Sequence, residues 1–244
     1  MQDVAFEEES KIEQDHWWFV VRREMFAKYL KAVPKDAAIL DIGVGAGSNL
    51  RMLKEAGFTN YQGFDFSPLA KKFCEEKNLG VVKVGDICDS ELADNSYDVI
   101  LFTDVVEHIE NDARALKEVA RILKPNGQII ITVPCFMSLW GDHDVASMHQ
   151  RRYLLGEIKS KISQAEMRIL ESYYFNFLLF IPILIFRKLT KIFAIKIKSE
   201  NAVNSKFLNQ IFKMLFRLDI FLAKKVKFPC GVSAFILASK AASN

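Results

Sequence analysis

Residues 39–47, Ile-Leu-Asp-Ile-Gly-Val-Gly-Ala-Gly, narrow the possible folds more than any other stretch. Ile39, Leu40 and Ile42 form an apolar run that suits a strand covered on both faces, as in a parallel sheet. Gly43, Gly45 and Gly47 allow a tight turn and let a ligand approach the backbone closely. Ser48 to Ala56 then reads as a helix with Leu50 and Leu53 facing inward. Its unpaired N-terminal amides point at whatever lies over the turn. Alternating glycines weaken a fold unless they are used, so a turn without a ligand is the lesser reading.

A dinucleotide fingerprint, G-x-G-x-x-G, needs glycine or another small residue at position 48. Ser48 is small, which weakens that reading without excluding it. A phosphate-binding P-loop needs a lysine after its glycines, and residues 41–50 contain none. The one charge in the turn is Asp41, which favours a cationic or zwitterionic ligand over a pyrophosphate.

From Ile39 the chain alternates between strand and helix patterns. Strands are expected at Tyr61–Asp65, Val81–Val84, Tyr97–Thr103, Gln128–Val133, Arg168–Phe175 and Ser233–Ala238. Helices are expected over 10–31, from a Ser67-Pro68 start to about Lys77, at Ala113–Leu123 and at Leu154–Ala165. This pattern predicts an α/β fold: a doubly wound, mostly parallel seven-stranded sheet, with a helical insertion between the last two strands. The implied divisions are an N-terminal cap helix at 1–35, a core at 36–175 plus 231–244, and an insertion at 176–230. The four cysteines are scattered without ligand spacing, and the acidic start of the chain carries no signal peptide. A cytoplasmic protein with reduced thiols is therefore expected.

In open α/β sheets, ligands sit beyond the carboxyl ends of the strands. The glycine turn, Asp65, Asp86-Ile87 and Thr103 to His108 all fall there. Asp65, ending the second strand, suits the two hydroxyls of a ribose. Asp86, after the third strand, suits an exocyclic adenine amine, with the Ile87 backbone reading the ring edge. The competing role for Asp86 is an Asx turn.

The segments Asp-Ile-Gly-Val-Gly-Ala-Gly, Gly-Phe-Asp-Phe-Ser-Pro, Gly-Asp-Ile and Asp-Val-Val-Glu-His-Ile resemble the motifs of Rossmann-like S-adenosylmethionine-dependent methyltransferases. The likeness covers about residues 37–135. The flanking His-Trp-Trp-Phe-x-x-Arg-Arg and His-x-Arg-Arg-Tyr segments resemble a bacterial and archaeal branch of that family, similar to ubiquinone-type enzymes. The resemblance implies that Asp41, Gly43, Gly45 and Gly47 hold the methionine and sulfonium part of S-adenosyl-L-methionine. It implies that Asp65 binds the ribose, Phe66 packs beside the adenine, Asp86 and Ile87 read the adenine, and Thr103 lines the cleft floor. Arg22 or Arg23 would pair with the methionine carboxylate. The alternative is that the Trp17-Trp18-Phe19 cluster simply docks a helix whose arginines are solvated.

For the chemistry, the resemblance implies in-line methyl transfer to an acceptor that presents O, N or C. No metal is expected; Asp142, His143 and Asp144 lie close in sequence, but nothing completes a ligand set around them. His108 is the candidate catalytic base or acceptor contact, against a role capping its own helix. His149, Arg152 and Tyr153, with Arg151, are candidates for holding an anionic or hydroxylated acceptor, against a solvated loop. Two other functions compete: a catalytically silent cofactor-binding subunit and a dinucleotide-dependent oxidoreductase. The first is disfavoured by an intact turn with both downstream acids, the second by Asp86 and the glycine spacing.

Charge is unevenly placed. Residues 176–230 contain eleven Lys and Arg but only Glu200 and Asp219 as acids, so the segment carries +9 and the rest of the chain −6. Phe177 to Phe186 is an apolar run too short to span a bilayer, and Pro182 interrupts it. Ser205 to Lys225 reads as an amphipathic helix. Lys206, Gln210, Lys213, Arg217 and Lys224 lie on one face, and Phe207, Leu208, Ile211, Phe212, Leu215, Leu218 and Leu222 on the other. Such a helix suits the inner face of a membrane, with a lipid-like or lipid-linked acceptor. The alternatives are a lid or an oligomer contact over a small-molecule acceptor. No nucleic-acid partner is expected.

Overall fold

The apolar runs assemble into one mixed sheet. The protein is described by a computed structural model over residues 10–193 and 205–241. The acidic start of the chain, with Lys196, Lys198 and Glu200 of the insertion, lies outside the described residues. The strands are β1 (Ile39–Ile42), β2 (Tyr61–Asp65), β3 (Val82–Val84), β4 (Tyr97–Thr103), β5 (Leu123–Pro134), β6 (Met167–Phe175) and β7 (Ser233–Lys240). Their order is β3-β2-β1-β4-β5-β7-β6. The first five run parallel; β7 is antiparallel to both β5 and β6.

The helices are α1 (Trp17–Tyr29), α2 (Ser48–Glu55), α3 (Pro68–Glu76), α4 (Asp112–Ile122), the short α5 (Asp142–Ala146), α6 (Leu155–Gln164), α7 (Phe180–Ile192) and α8 (Lys206–Lys225). On one face of the sheet, Leu40, Ile100 and Ile129 meet Leu116 and Val119 of α4 and Ile158 and Ile162 of α6. On the other, Ile39, Val99 and Ile130 meet Val21 and Met25 of α1, Leu50 and Leu53 of α2, and Phe216 and Ile220 of α8. Side chains buried on both faces explain why the central strands are continuously apolar rather than alternating.

Two elements differ from expectation. The helix anticipated over 10–31 is broken: residues 10–12 form a helical turn, 13–16 leave it, and α1 starts at Trp17. His16 causes the restart. Its extended backbone (ψ 134°) places its ring nitrogen to accept from the Trp18 amide at 3.4 Å, a long N-cap contact. Strand β5 begins at Leu123, which pairs with Tyr97, before a register shift and a kink at Lys124–Gly127 return the pairing at Gln128. Asn126 takes a left-handed φ of 63° in that kink, so Pro125-Asn126-Gly127 bends a strand instead of separating two elements.

The insertion also packs differently. Helix α8 docks on α1 and β6 through Phe216, Asp219, Ile220 and Ala223. Phe216 stacks on Trp18 at 5.3 Å and 5°, and Phe212 meets Trp17 at 5.4 Å. Arg217, expected on a solvated basic face, pairs with both oxygens of Glu24 at 2.8 and 2.6 Å. Phe207, Ile211 and Leu218, expected on the apolar face, are exposed together with Met214 and Phe221. At helical spacing those five residues form a second apolar stripe. Among the described residues, no helix is long and apolar enough to cross a membrane.

Candidate active site

The site is built on the β1–α2 turn. Gly43 has φ 73°, and a Cβ there would meet Val105 Cγ2 at 2.3 Å, so both backbone and space require glycine. Gly45, at φ 54°, has nothing within 4 Å of a Cβ position, so the crest of the turn is open. Just before the turn, Asp41 is fully buried. Its Oδ1 accepts from Asn49 Nδ2 at 2.9 Å, while Oδ2 has no hydrogen-bond partner. Burial pushes the Asp41 carboxyl up to about 7, against the Asn49 hydrogen bond. Asn49 also donates to Thr103 Oγ1 at 3.1 Å, joining the ends of β1 and β4.

Asp65 closes β2 over the same turn. Its Oδ2 accepts from the Gly45 amide at 3.1 Å and its Oδ1 from the Ser67 amide at 2.8 Å. Burial raises its carboxyl, opposed by those amides. The neighbouring Phe66 ring is 79% exposed. Asp86 is exposed and accepts from the Cys88 amide at 2.8 Å, capping a short turn that contains buried Ile87. One of its oxygens thus makes the Asx-type contact of the competing reading.

Helix α1 and the turn before it cover this end of the sheet. Glu13 is 1% exposed and pairs with Lys77 at 2.7 Å, and Lys77 also donates to the Ala46 carbonyl at 2.8 Å. The two arginines are engaged in ways the sequence did not suggest. Arg23 donates to the carbonyls of Glu13 and Gln14 and to Ser48 Oγ, at 2.6, 3.0 and 2.7 Å. Arg22 pairs with Asp104 at 2.5 Å, donates to Thr132 Oγ1 at 3.1 Å, and lies over Trp18 at 5.2 Å. Neither presents a free guanidinium fork to the turn, because carboxylate and carbonyl oxygens already occupy it; only Arg22 Nε is buried without a partner.

Beyond β4, residues 106–108 form a single 3-10 turn. The His108 ring meets the His149 ring edge-on at 4.7 Å. Burial, and then the charge of His149, lower His108 to about 4, so its imidazole is neutral near pH 7. The Gln150 amide donates to the Glu107 carbonyl at 2.8 Å, which holds the two segments together. His149 Nδ1 lies 2.8 Å from Asp144 Oδ1. Asp144 is fully buried and also accepts from the Gly141 amide and from Arg152 Nε, both at 2.8 Å, and from Arg187 of α7. Burial opposes its ionisation, but these donors win and hold the carboxyl far below the usual range.

Two candidates for acceptor recognition are therefore corrected. Arg152 is buried, with its donors directed at Asp144 and the Cys135 carbonyl. Tyr153 is 2% exposed and donates to Asp112 Oδ2 at 2.7 Å, on the α4 side of the sheet. The parallel bridge between Cys135 and Tyr153 draws this stretch into the interior. Of that trio His149 alone joins His108. Asn49, Asp104 and Glu107 were not singled out from sequence, and Asp144 was weighed only with Asp142 and His143 as an incomplete ligand set. A carboxylate directly before a candidate histidine was the available signal for Glu107; nothing local tied Asp144 to His149.

Over nearly all of its length the chain matches the fold of a solved SAM dependent methyltransferase from Archaeoglobus fulgidus, with a TM-score of 0.61 at 21% identity, covering 97% of this chain and 99% of that one. A family described as a methyltransferase domain matches residues 40–131. On a Rossmann-like fold, the chain thus resembles S-adenosylmethionine-dependent methyltransferases over residues 40–131. Phosphoethanolamine N-methyltransferase 2 of Caenorhabditis elegans is 29% identical to it over 101 residues, covering 39% of this chain and 23% of that protein. The 2-methyl-6-phytyl-1,4-hydroquinone methyltransferase of Synechocystis sp. is 31% identical over 107 residues, covering 42% of this chain and 33% of that protein. The matches span a third or less of these curated relatives. The methyltransferase domain's turn fits its cofactor on structural grounds: an orphaned carboxylate oxygen on Asp41, open space above Gly45 and an exposed ring at Phe66.

Proposed function

We propose that this protein transfers a methyl group from S-adenosylmethionine to a lipid-like or lipid-linked acceptor that it meets at an anionic membrane surface. When bound, the cofactor supplies a methyl group on a cationic sulfur, an electrophile open to in-line displacement. The chain's part is to hold, orient and deprotonate. Asp41 and the glycine turn receive the methionine part, with the unpartnered Asp41 oxygen accepting from its ammonium. Asp65 takes the ribose hydroxyls, Phe66 covers the adenine, Asp86 and Ile87 read its edge, and Thr103 with Asn49 forms the floor. Arg23 latches the 13–14 segment beside the turn, and Arg22 reaches the methionine carboxylate only by sharing itself with Asp104.

On the acceptor side, His108 and His149 face the place where a proton must leave a hydroxyl or amine. Asp144 holds His149 through Nδ1, which leaves Nε2 as the acceptor. The alternatives of a silent cofactor-binding subunit and of a dinucleotide-dependent oxidoreductase predict, respectively, no turnover with any acceptor and tighter binding of NADH than of S-adenosylmethionine.

The observation that carries the acceptor class is the second apolar stripe of α8. Phe207 is 75%, Met214 69% and Phe221 56% exposed after the docking face of the helix has been used. On α7, Ile181, Ile185 and Ile192 are exposed as well, and so is Phe193 just after it. Lysines at 188, 191, 206, 213, 224 and 225 accompany these residues. Apolar side chains beside cations suit an interface of anionic lipid. The relative that acts on a phytyl hydroquinone offers a ring with an apolar tail as one acceptor shape. Co-sedimentation with anionic and neutral vesicles across a salt series tests the reading. Binding is expected to favour anionic vesicles and to weaken with salt. Protein that stays in the supernatant with both vesicle types at low salt makes the insertion a lid or an oligomer contact, and a soluble acceptor replaces the lipid-linked one.

A further inference from the structure

The turn after β4 holds a feature that methyl transfer does not need. Glu107 is 0% exposed, and neither of its carboxylate oxygens has a hydrogen-bond partner. A buried carboxyl in that condition is costly in either protonation state. The cations packed nearby are matched to other acids: Arg22 to Asp104, and Arg152 to Asp144. Two imidazoles stand against Glu107 instead. Ligand atoms of Glu107, His108 and His149 all lie within 4.8 Å of one another. His149 Nε2 is 4.0 Å from Glu107 Oε1. That separation is too long for a hydrogen bond and too short for a water hydrogen-bonded to both at an open angle. Two ligands of a tetrahedral ion with bonds of about 2.0–2.1 Å stand roughly 3.3–3.4 Å apart, so a bound cation draws these side chains together by about 0.6 Å.

The surroundings agree. His149 Nδ1 is held at 2.8 Å by Asp144, a carboxylate fixed by the Gly141 amide, Arg152 and Arg187. A carboxylate behind the far nitrogen of an imidazole orients the near nitrogen as a metal ligand. One carboxylate and two imidazoles make a nitrogen-rich set, which favours first-row divalent ions over magnesium or calcium. Three protein ligands leave a coordination position for an exogenous oxygen.

The geometry points to a divalent transition-metal site formed by Glu107, His108 and His149, with Asp144 as the residue that orients His149. It departs from the expectation of a metal-free site. Its placement rests on the side-chain cluster alone; its use rests on the proposed methyl-transfer reading, in which it stands on the acceptor side and takes a hydroxyl or phosphoryl oxygen of the acceptor. With the ion bound, His108 and His149 are ligands that position the acceptor oxygen; the proton-removing role proposed above belongs to the ion-free protein.

Full-length protein, freed of metal with a chelator and dialysed, is titrated calorimetrically with Zn2+, Mn2+ and Mg2+ in the absence of cofactor and acceptor. The expected result is one equivalent of Zn2+ or Mn2+, bound tighter than Mg2+. Glu107→Gln and His108→Ala are each expected to weaken that binding at least tenfold, and Asp144→Asn by roughly 10–100-fold as the orienting partner. Histidine NMR on the wild-type protein with Zn2+ supplies a second readout, with the His108 and His149 imidazole signals shifting together. The proposal is overturned by any of three results: no saturable binding, tighter binding of Mg2+, or Zn2+ binding that survives Glu107→Gln and His108→Ala unchanged in proteins whose circular dichroism matches wild type. S-adenosylmethionine titration of the same samples is a separate measurement, so loss of the metal site and loss of the cofactor site are told apart.

Discussion

At the scale of single residues, the acids of the turn have separable tasks. Asp65 receives two backbone amides and so shapes the turn, and its remaining lone pairs serve the proposed ribose contact. Its replacement in Asp65→Ala is expected to weaken S-adenosylmethionine binding by roughly 1.5–3 kcal/mol, from a wild-type affinity in the micromolar range, on the order of 8 kcal/mol; calorimetry reads both. An unchanged affinity would remove Asp65 from the cofactor site. His108→Ala is expected to lower turnover by roughly 10²–10⁴ with cofactor affinity nearly unchanged, once an acceptor is in hand. Near-normal turnover in that variant would leave His149 as the remaining acceptor-side group. The turn residues were legible because a glycine series and strand-end acids are local signals. Glu107 and Asp144 were not, because their meaning comes from contacts: Asp144 matters through His149, Arg152 and Arg187, the last of them 43 residues away.

At the scale of elements, α1 and α8 are the ones whose behaviour can be dissected. His16 caps α1 as a neutral ring. Burial first, then the charge of Lys213, lower it from 6.5 to about 4. The unfolded chain takes up a proton near 6.5 and the folded one does not. The stability His16 contributes is therefore whole above pH 6.5 and is lost as pH falls toward 4. Asn at this position keeps an acceptor for the cap but does not titrate. Urea unfolding at pH 7.5 and 5 should show the wild type losing on the order of 1–2 kcal/mol more than His16→Asn; equal losses would show that the ring is not the titrating group. Phe216 is 1% exposed between Trp18 and Phe175. Phe216→Ala should cost roughly 3–5 kcal/mol of stability, unless α8 detaches before the core unfolds, which a second, earlier transition would reveal. Strand and helix positions in the core were readable from apolar runs. The docked face of α8 was not. Its sequence is apolar on two faces, and composition alone does not say which one a neighbour covers.

At the scale of the whole molecule, the exposed stripe of α8 carries the proposed attachment to a membrane surface. Replacing Phe207, Met214 and Phe221 together by serine should abolish vesicle binding and leave S-adenosylmethionine affinity unchanged in the absence of vesicles, because none of the three touches the turn. Retained vesicle binding would assign attachment to α7. The packing between α8 and the rest has a further consequence. Trp18 stacks on Phe216, Phe216 on Phe175, and Asn209 ties the Trp17 amide and the Asp15 carbonyl to the same helix, at 2.7 and 2.8 Å. The segment that closes over the glycine turn and the helix that meets the outside world thus form one lever. A ligand that steadies either end steadies the other, and thermodynamic reciprocity makes the two effects equal. Whatever factor anionic vesicles add to cofactor affinity, saturating cofactor must add to vesicle affinity.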